Sequence, residues 1–139
     1  MNPNSIIPVK CTPASFFRAW MEILTPFHKL TSREKDVAAR ILMQYFKFKE
    51  NVEDPEVLNE LLWSRSSRKD IMDSLGMSQA HFQMVLGKLR SSGVIRDGKI
   101  YHMYIPKRLP GDKRYCLQVI FDWSSPSNPV PREKQDREG

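Results

Sequence analysis

Residues 67–95 read SRKDIMDSLGMSQAHFQMVLGKLRSSGVI, and this stretch decides the fold. Its apolar residues recur at three- and four-residue steps on either side of Gly76, which predicts helices over residues 68–75 and 79–91. Gly76 suits the left-handed backbone that ends a helix, and Ser78 suits the cap of the next one. Two helices joined by so short a turn cross steeply. The stretch therefore predicts a helix-turn-helix in which the start of the second helix projects from the fold.

A β-hairpin is predicted directly after the second helix. Asp97 and Gly98 stand between β-forming runs over residues 94–105, and an Asp-Gly pair in that position is typical of a two-residue hairpin turn. A basic loop follows, and alternating residues over 115–123 predict a further strand. The helix-turn-helix is thus expected to lead into a sheet of two or three strands.

An aromatic helix is predicted near the start of the chain. Pro13 follows Thr12 as an early helical residue, because the first turn of a helix leaves backbone N–H groups unpaired anyway. Apolar side chains then recur at helical steps and predict one buried face: Phe16, Phe17, Trp20, Ile23, Leu24 and Phe27. Pro26 closes this helix or lies just past its end. Burial in the core is the expected role of the stripe, and a homodimer interface through the N-terminal helices is the alternative.

Two further helices are predicted before the helix-turn-helix. Thr31 and Glu34 fit a capping box, in which each side chain binds a free backbone N–H at the start of the helix. The helix that follows places its apolar residues on one side and most of its cations on the other: Val37, Ile41, Leu42, Tyr45 and Phe46 against Lys35, Arg40, Lys47 and Lys49. A short helix is predicted over residues 55–64, and Ser66 or Ser67 is the expected cap of the next one.

The length of the chain suits a single domain, since 139 residues can bury one core of ordinary size. We expect an irregular N-terminal arm over residues 1–12 and a folded domain over residues 13–123. Residues 124–139 are polar and rich in proline, and they are expected to form a disordered tail. The predicted fold class is mainly α with a small β-sheet.

Several classes of protein are disfavoured by what the sequence lacks. No nucleophile elbow, triad-like motif or glycine-rich phosphate loop appears, so we expect no enzyme and no cofactor. His28, His81 and His102 are scattered, and no cysteine pair has metal-ligand spacing, so no metal is expected. Cys11 and Cys116 are expected to be free thiols, although their spacing leaves a disulfide open. No apolar run approaches the roughly 20 residues that span a bilayer, and no secretory signal is visible, which predicts a cytoplasmic protein without a membrane partner.

The positive charge is concentrated in the second half of the chain. The formal net charge is +6 and the isoelectric point is about 9.5, which favours anionic partners such as nucleic acid. Residues 51–75 carry three basic and six acidic side chains, whereas residues 76–123 carry eight basic and three acidic ones. The segment that contains the second helix and the hairpin is therefore the one expected to meet an anion.

The pattern over residues 67–105, with its KDIMDSLGMSQAHFQMVLGKLRSSGVI and DGKIY runs, resembles the winged helix-turn-helix superfamily. A fainter likeness extends back to about residue 31. That superfamily includes transcription regulators and replication or plasmid initiator proteins. The resemblance implies a winged helix-turn-helix with additional N-terminal helices, and double-stranded DNA as its partner. It implies a role in regulating transcription or replication, with a phage or mobile-element origin as one option.

The resemblance also implies which side chains would meet DNA: Ser78, Gln79, Ala80, His81, Gln83, Lys88, Arg90, Arg96 and Lys99. The serine and the first N–H groups of the second helix would bind a phosphate. The glutamines can read adenine with two hydrogen bonds, and Ala80 can touch a thymine methyl group. Lys88 and Arg90 suit the DNA backbone. Arg96 and Lys99 flank the hairpin turn and would reach the adjacent minor groove or its phosphates.

One departure from the pattern keeps a second function open. The first turns of the second helix carry no Arg or Lys, although arginine to guanine is the commonest specific base contact. Winged helices also serve as protein–protein modules, and a Gln/His/Met surface suits that role as well. The alternative prediction is therefore an adaptor or a structural subunit of a larger assembly.

Overall fold

The computed structural model describes residues 9–107 and Ser124. The described part of the chain is mainly helical and contains one antiparallel sheet of two short strands. Its elements are, in order, α1 Pro13–Ile23, α2 Thr25–His28, α3 Ser32–Lys49, α4 Pro55–Leu62, α5 Arg65–Leu75, α6 Gln79–Ser91, β1 Ile95–Arg96, β2 Lys99–Ile100 and a 3₁₀ turn His102–Tyr104. The mainly α class with a small sheet is confirmed. The strand predicted over residues 115–123 and, apart from Ser124, the tail predicted over residues 124–139 lie outside the described residues.

Local capping signals in the sequence place the starts of several helices. Thr12 caps α1, and Pro13 occupies its first position. Thr31 and Glu34 form the predicted capping box at the start of α3, with the Glu34 carboxylate accepting the N–H of Thr31 at 2.8 Å. Such caps stabilise a helix by about 1 kcal/mol each, because they satisfy N–H groups that no helical carbonyl reaches. The position of each helix start is therefore determined by residues only a few positions apart in the sequence.

One apolar core joins α1, α3, α4, α5, α6 and the hairpin. Its largest fully buried side chains are Tyr104, Phe82, Met21, Leu62, Ile71, Leu89 and Val37. α1 packs along α3, and α6 packs against α3 and β1. The hairpin therefore belongs to the same core as the helices. No helix in the described range is long and apolar enough to cross a membrane.

The predicted aromatic stripe is only partly buried. Phe17, Trp20 and Leu24 lie in the core, whereas Ile23 and Phe27 remain 57% and 63% exposed. Ile23 belongs to α1, but at 100° per residue it lies to one side of the face that buries Phe17 and Trp20. α1 ends at Ile23 and a separate helical turn, α2, begins at Thr25, so the period of α1 does not extend to Phe27.

Lys35 was predicted to face away from the core of α3, and this prediction is wrong. The side chain is buried, and its ammonium group donates to the Glu22 carboxylate at 2.9 Å and to the Thr25 hydroxyl at 3.2 Å. The Lys35 hydrogen bond, together with one from Arg18, lowers the pKa of Glu22. Lys35 therefore joins α3 to α1 and α2, a contact that the periodicity of α3 alone could not indicate.

The start of α5 and the end of the hairpin also differ from the predictions. α5 begins at Arg65, and Ser64 caps it by accepting the N–H of Ser67. Ser67 is no cap: it is buried, and its hydroxyl accepts from the Gln44 amide at 3.1 Å. β2 ends at Ile100, and residues 102–104 turn into a 3₁₀ helix instead of continuing the strand to residue 105. The exposed His102 therefore lies in that turn and not on a strand.

Candidate nucleic-acid interface

A short turn separates α5 from α6. Gly76 ends α5 in the left-handed conformation, with a φ of 60°, and the N–H of Met77 donates to the carbonyl of Met72 at 3.0 Å. Met77 is buried, which anchors the turn in the core. Ser78 then caps α6, because its hydroxyl accepts the N–H of His81 at 3.2 Å. The turn predicted from Gly76 and Ser78 is thus present.

Two arginines of α3 hold the last turn of α5 in place. Arg33 donates from Nη2 to the carbonyl oxygen of Leu75 at 2.7 Å, and Arg40 donates from Nε to the hydroxyl of Ser74 at 2.8 Å. Both acceptors directly precede Gly76. Neither contact is indicated by the sequence, because each joins residues more than 30 positions apart. The angle between α5 and α6 therefore depends on α3 as well as on the turn itself.

α6 separates cleanly into an inner and an outer side. Phe82, Val85, Leu86 and Leu89 are buried, as the sequence predicts. The six side chains of α6 assigned to DNA by the resemblance are all exposed: Gln79, Ala80, His81, Gln83, Lys88 and Arg90. At 100° per residue, the line directly opposite the core runs through Ala80, Met84 and Gly87 and reaches the hydroxyl-bearing Ser91 at the end of the helix. We call Ala80, Met84 and Gly87 the outer stripe.

Different chemistry flanks the outer stripe on its two sides. Gln79, Gln83 and Arg90 follow one side at four- and seven-residue steps. His81 and Lys88, seven residues apart, follow the other side. The stripe itself carries no charge and no side-chain hydrogen-bonding group. Polar and cationic side chains therefore border a narrow uncharged line along the exposed side of α6.

The segment of the chain from the turn to the first strand carries only positive formal charge. Between residues 76 and 96 the chain contains Lys88, Arg90 and Arg96 and no Asp or Glu. Among the described residues, the ion pairs involve neither Lys88 nor Arg90. Both side chains are exposed, and both lie in the last turns of α6. Within the described part of the chain, neither charge is therefore paired with a carboxylate.

The hairpin has the turn that Asp97-Gly98 predicts. Both residues have positive φ, 54° and 73°, and the strands pair Ile95 with Ile100 and Arg96 with Lys99. Such a turn matches the twist of the strands that it joins. Ile95 and Ile100 are buried, whereas Arg96 and Lys99 are exposed. The hairpin therefore presents its cations on the side away from the core.

The two hairpin cations have partners within the chain. The guanidinium of Arg96 lies 3.7 Å above the centre of the Tyr101 ring, and its Nε donates to the Gly93 carbonyl at 3.1 Å. Lys99 lies 3.4 Å from the carboxylate of Glu56, at the start of α4. Arg96 is thus held in one orientation next to the end of α6. Lys99 forms an exposed ion pair, which is weak in water.

Few features of the described part suit a small ligand. A core cavity of about 10 Å³, lined by Met21, Leu42 and Tyr104 among others, has room for about one water molecule. No group of three or more His, Cys, Asp or Glu residues that could hold a metal ion occurs in the described range. The surface of α6 and the hairpin is therefore the candidate site.

Family models, curated proteins and solved structures were compared with the chain, and none of them matches it.

Proposed function

We propose that this chain is a winged helix-turn-helix protein that binds duplex DNA without catalysing a reaction, in the control of transcription or replication. α5 and α6 are the two helices of the motif, and the β1–β2 hairpin is the wing. α6 occupies the major groove, which is wide enough to admit a helix. The wing lies beside it on the DNA backbone.

The observation that carries this proposal is the segment between residues 76 and 96, which contains exposed cations and no Asp or Glu. Duplex DNA is a dense line of negative charge, and a protein binds it mainly by neutralising phosphates with Lys and Arg. Lys88 and Arg90 are exposed and lack ion-pair partners among the described residues. They lie on a helix that carries no acidic side chain, so no carboxylate of α6 repels the phosphates.

The flanks of the outer stripe suggest how each side chain is used. Gln79 and Gln83 lie on one side of the stripe, where their amides can pair with base edges. Ser78 and the start of α6 face a phosphate. Lys88 and Arg90 bind the backbone further along the groove. These contacts would fix the position of the protein and let the amides select bases.

Salt dependence of binding to a labelled random-sequence duplex tests the proposal. Several phosphate contacts should weaken binding steeply between about 50 and 200 mM salt. Replacing Lys88 and Arg90 with Gln should lower the slope of log affinity against log salt by about 2, since each contact contributes about 0.9. Lys47→Gln, an exposed lysine on α3, is the matched control and should leave the slope unchanged. A parent protein without salt-dependent affinity for duplex DNA would refute the proposal.

A protein-binding adaptor is the second candidate, and the exposed apolar side chains of the N-terminal helices favour it. Ile23 and Phe27 lie near each other in sequence, at the end of α1 and in α2, and both are more than half exposed. Contiguous exposed apolar surface is a feature of protein contact sites, and these two side chains would contribute to such a surface. A homodimer through these helices is one form of this candidate. Sedimentation analysis of the parent and of Phe27→Ser tests it, since loss of self-association in the variant alone would support the dimer.

A further inference from the structure

The outer stripe of α6 is the feature that phosphate binding does not explain. Met84 is 69% exposed, although burying a methionine side chain from water is favourable. Ala80 is also exposed, and a Cβ built on Gly87 would meet no atom within 4 Å. The three residues form an apolar line along the part of α6 that lies farthest from the core. In the proposed complex, this line faces the floor of the major groove.

The floor of the major groove offers one apolar group, the C5 methyl of thymine. The other groups on the base edges there are hydrogen-bond donors and acceptors. Ala80 and Met84 present methyl groups to it, and the missing side chain at Gly87 lets the helix sit deeper. Gln79 and Gln83, beside the stripe, carry the amide group that pairs with adenine, the partner base of thymine. The chemistry of the stripe and that of its amide flank thus select the same base pair.

We propose that α6 selects its DNA sites through thymine methyl groups, which Ala80 and Met84 contact, so that A·T pairs occupy the centre of each site. This inference rests on the proposed function. The commonest readout of guanine uses Arg or Lys, and cytosine is typically read by Asp or Glu. The first turns of α6 contain neither, and its two cations lie in its second half.

Uracil substitution tests the inference, because uracil pairs with adenine as thymine does and lacks only the methyl group. Preferred sites are first selected from a pool of random-sequence duplexes. Each thymine in a selected site is then replaced by uracil, one at a time, and the affinity is measured by fluorescence anisotropy. Every contacted methyl should cost about fourfold in affinity, the value expected for exposing one methylene-sized apolar group. A G·C pair can also be placed at a contacted position. The protein should then bind the duplex with 5-methylcytosine more tightly than the duplex with cytosine, because only the former carries the methyl group.

Met84→Gln separates a methyl contact from an effect of uracil on the shape of the DNA. Met84 is exposed, so the substitution should leave the fold intact, and circular dichroism checks this. The uracil penalty should disappear at the position that Met84 contacts and remain at the others. Met103→Gln is the matched control, because Met103 is also exposed but lies in the 3₁₀ turn after the hairpin. It should keep every uracil penalty of the parent.

The outcomes distinguish this inference from the proposed function. Salt-dependent binding with equal affinity for thymine and uracil duplexes overturns the inference and leaves DNA binding intact. Selected sites with G·C pairs at their centre overturn it as well. A uracil penalty that persists unchanged in Met84→Gln removes Met84 from the contact and overturns the assignment of the stripe. Absence of salt-dependent duplex binding in the parent overturns the proposed function itself, and it would favour a protein partner for the same helix face.

Discussion

The indole Nε1 of Trp20 donates a hydrogen bond to the carbonyl oxygen of Tyr104 at 2.9 Å, and the bond is buried. It joins α1 to the turn that follows the hairpin, across 84 positions of the chain. The Tyr104 ring is itself among the fully buried side chains, and burial raises the pKa of its hydroxyl. The N-terminal helix therefore supports the segment that leaves the hairpin, and it is part of the same folding unit as the candidate site.

Trp20→Phe should destabilise the protein by about 1–3 kcal/mol, because the Tyr104 carbonyl would lose its buried donor. Trp63→Phe is the matched control. The Trp63 indole donates to the Asn59 side chain in a partly buried contact within α4 and its cap, so its loss should cost less. Urea unfolding of the two variants gives the comparison. If both variants lost the same free energy of unfolding, the hydrogen bond from Trp20 to Tyr104 would contribute no more than the local one made by Trp63.

Gly76 and Gly87 should respond in opposite directions to an added side chain. Gly76 has a φ of 60°, so Gly76→Val should cost about 1 kcal/mol or more through backbone strain, although a Cβ there meets no atom within 4 Å. Gly87 lies inside α6 with equally open space, so Gly87→Ala should stabilise by about 0.5–1 kcal/mol. Thermal unfolding measures both. An unchanged melting temperature in Gly76→Val would contradict the turn.

His28 is buried in a setting that suits its neutral form. Its Nε2 lies 2.8 Å from the Met21 carbonyl oxygen, and its Nδ1 accepts the N–H of Leu30 at 2.9 Å. A proton on Nδ1 would remove that acceptor. Burial lowers the pKa of His28; the Met21 carbonyl opposes the shift, and the nearby charge of Lys35 adds to it. The folded protein therefore takes up this proton at a lower pH than the unfolded chain does.

The free energy of unfolding should decrease as the pH is lowered from about 6.5 to the lowered pKa of His28. In the unfolded chain the histidine binds a proton below about pH 6.5, whereas in the folded protein it binds one only at a lower pH. The contribution of neutral His28 to the free energy of unfolding is therefore complete above about pH 6.5 and is lost below it. Urea unfolding at steps between about pH 8 and pH 5 measures the effect, above the range in which Glu22 titrates. His28→Gln should flatten the profile, whereas His81→Gln, at an exposed position, should keep it. A steep profile in His28→Gln would assign the dependence to other groups.

The elements could be predicted where neighbours in sequence determine them. The Thr31–Glu34 capping box, the left-handed Gly76 and the Asp97-Gly98 turn each depend on residues only a few positions apart, and each is present. Lys35 shows where such prediction fails, because its burial depends on Glu22 of another helix. The same holds for Ser67, whose partner Gln44 lies 23 positions away.

The exposure of the candidate site was predictable from the period of α6, but its surroundings were not. Phe82 and Leu89 determine which side of α6 faces the core, and the exposure of the polar side chains assigned to DNA follows from that. The tertiary partners Glu56 for Lys99 and Arg33 for the end of α5 lie about 40 positions from their counterparts. The binding of DNA by these residues stays a prediction.

Replacing Gln79 and Gln83 with Ala should reduce discrimination between sites more than it reduces affinity for random duplex. Both amides lie on the same flank of the outer stripe, and a good bidentate pair with adenine contributes about 1–3 kcal/mol of discrimination. Exposed side chains of this kind contribute little to folding, so the melting temperature should stay nearly unchanged. Affinity for a selected site and for a random duplex gives the result. Equal losses of affinity for the selected site and for the random duplex would show that the amides contact the DNA backbone instead of the bases.

The hairpin gives the sharpest test of the proposed contact between the protein and DNA. Arg96 is held by the Tyr101 ring and the Gly93 carbonyl, so its charge is preorganised, whereas Lys99 must leave Glu56 to reach a phosphate. Alanine at both Arg96 and Lys99 should lower the slope of log affinity against log salt by about 1–2. The loss should be similar for all sequences, because phosphates carry no base information.

Glu56→Gln is the counterpart of that double variant, since it removes the anion that competes with DNA for Lys99. Its affinity for duplex DNA should equal or exceed that of the parent. The folding cost of the double variant should be about 1 kcal/mol, because one exposed cation–π contact and one exposed ion pair are lost. Unfolding curves separate that cost from the change in binding. A double variant with the affinity and salt slope of the parent would remove the hairpin from the interface and leave α6 alone to bind the duplex.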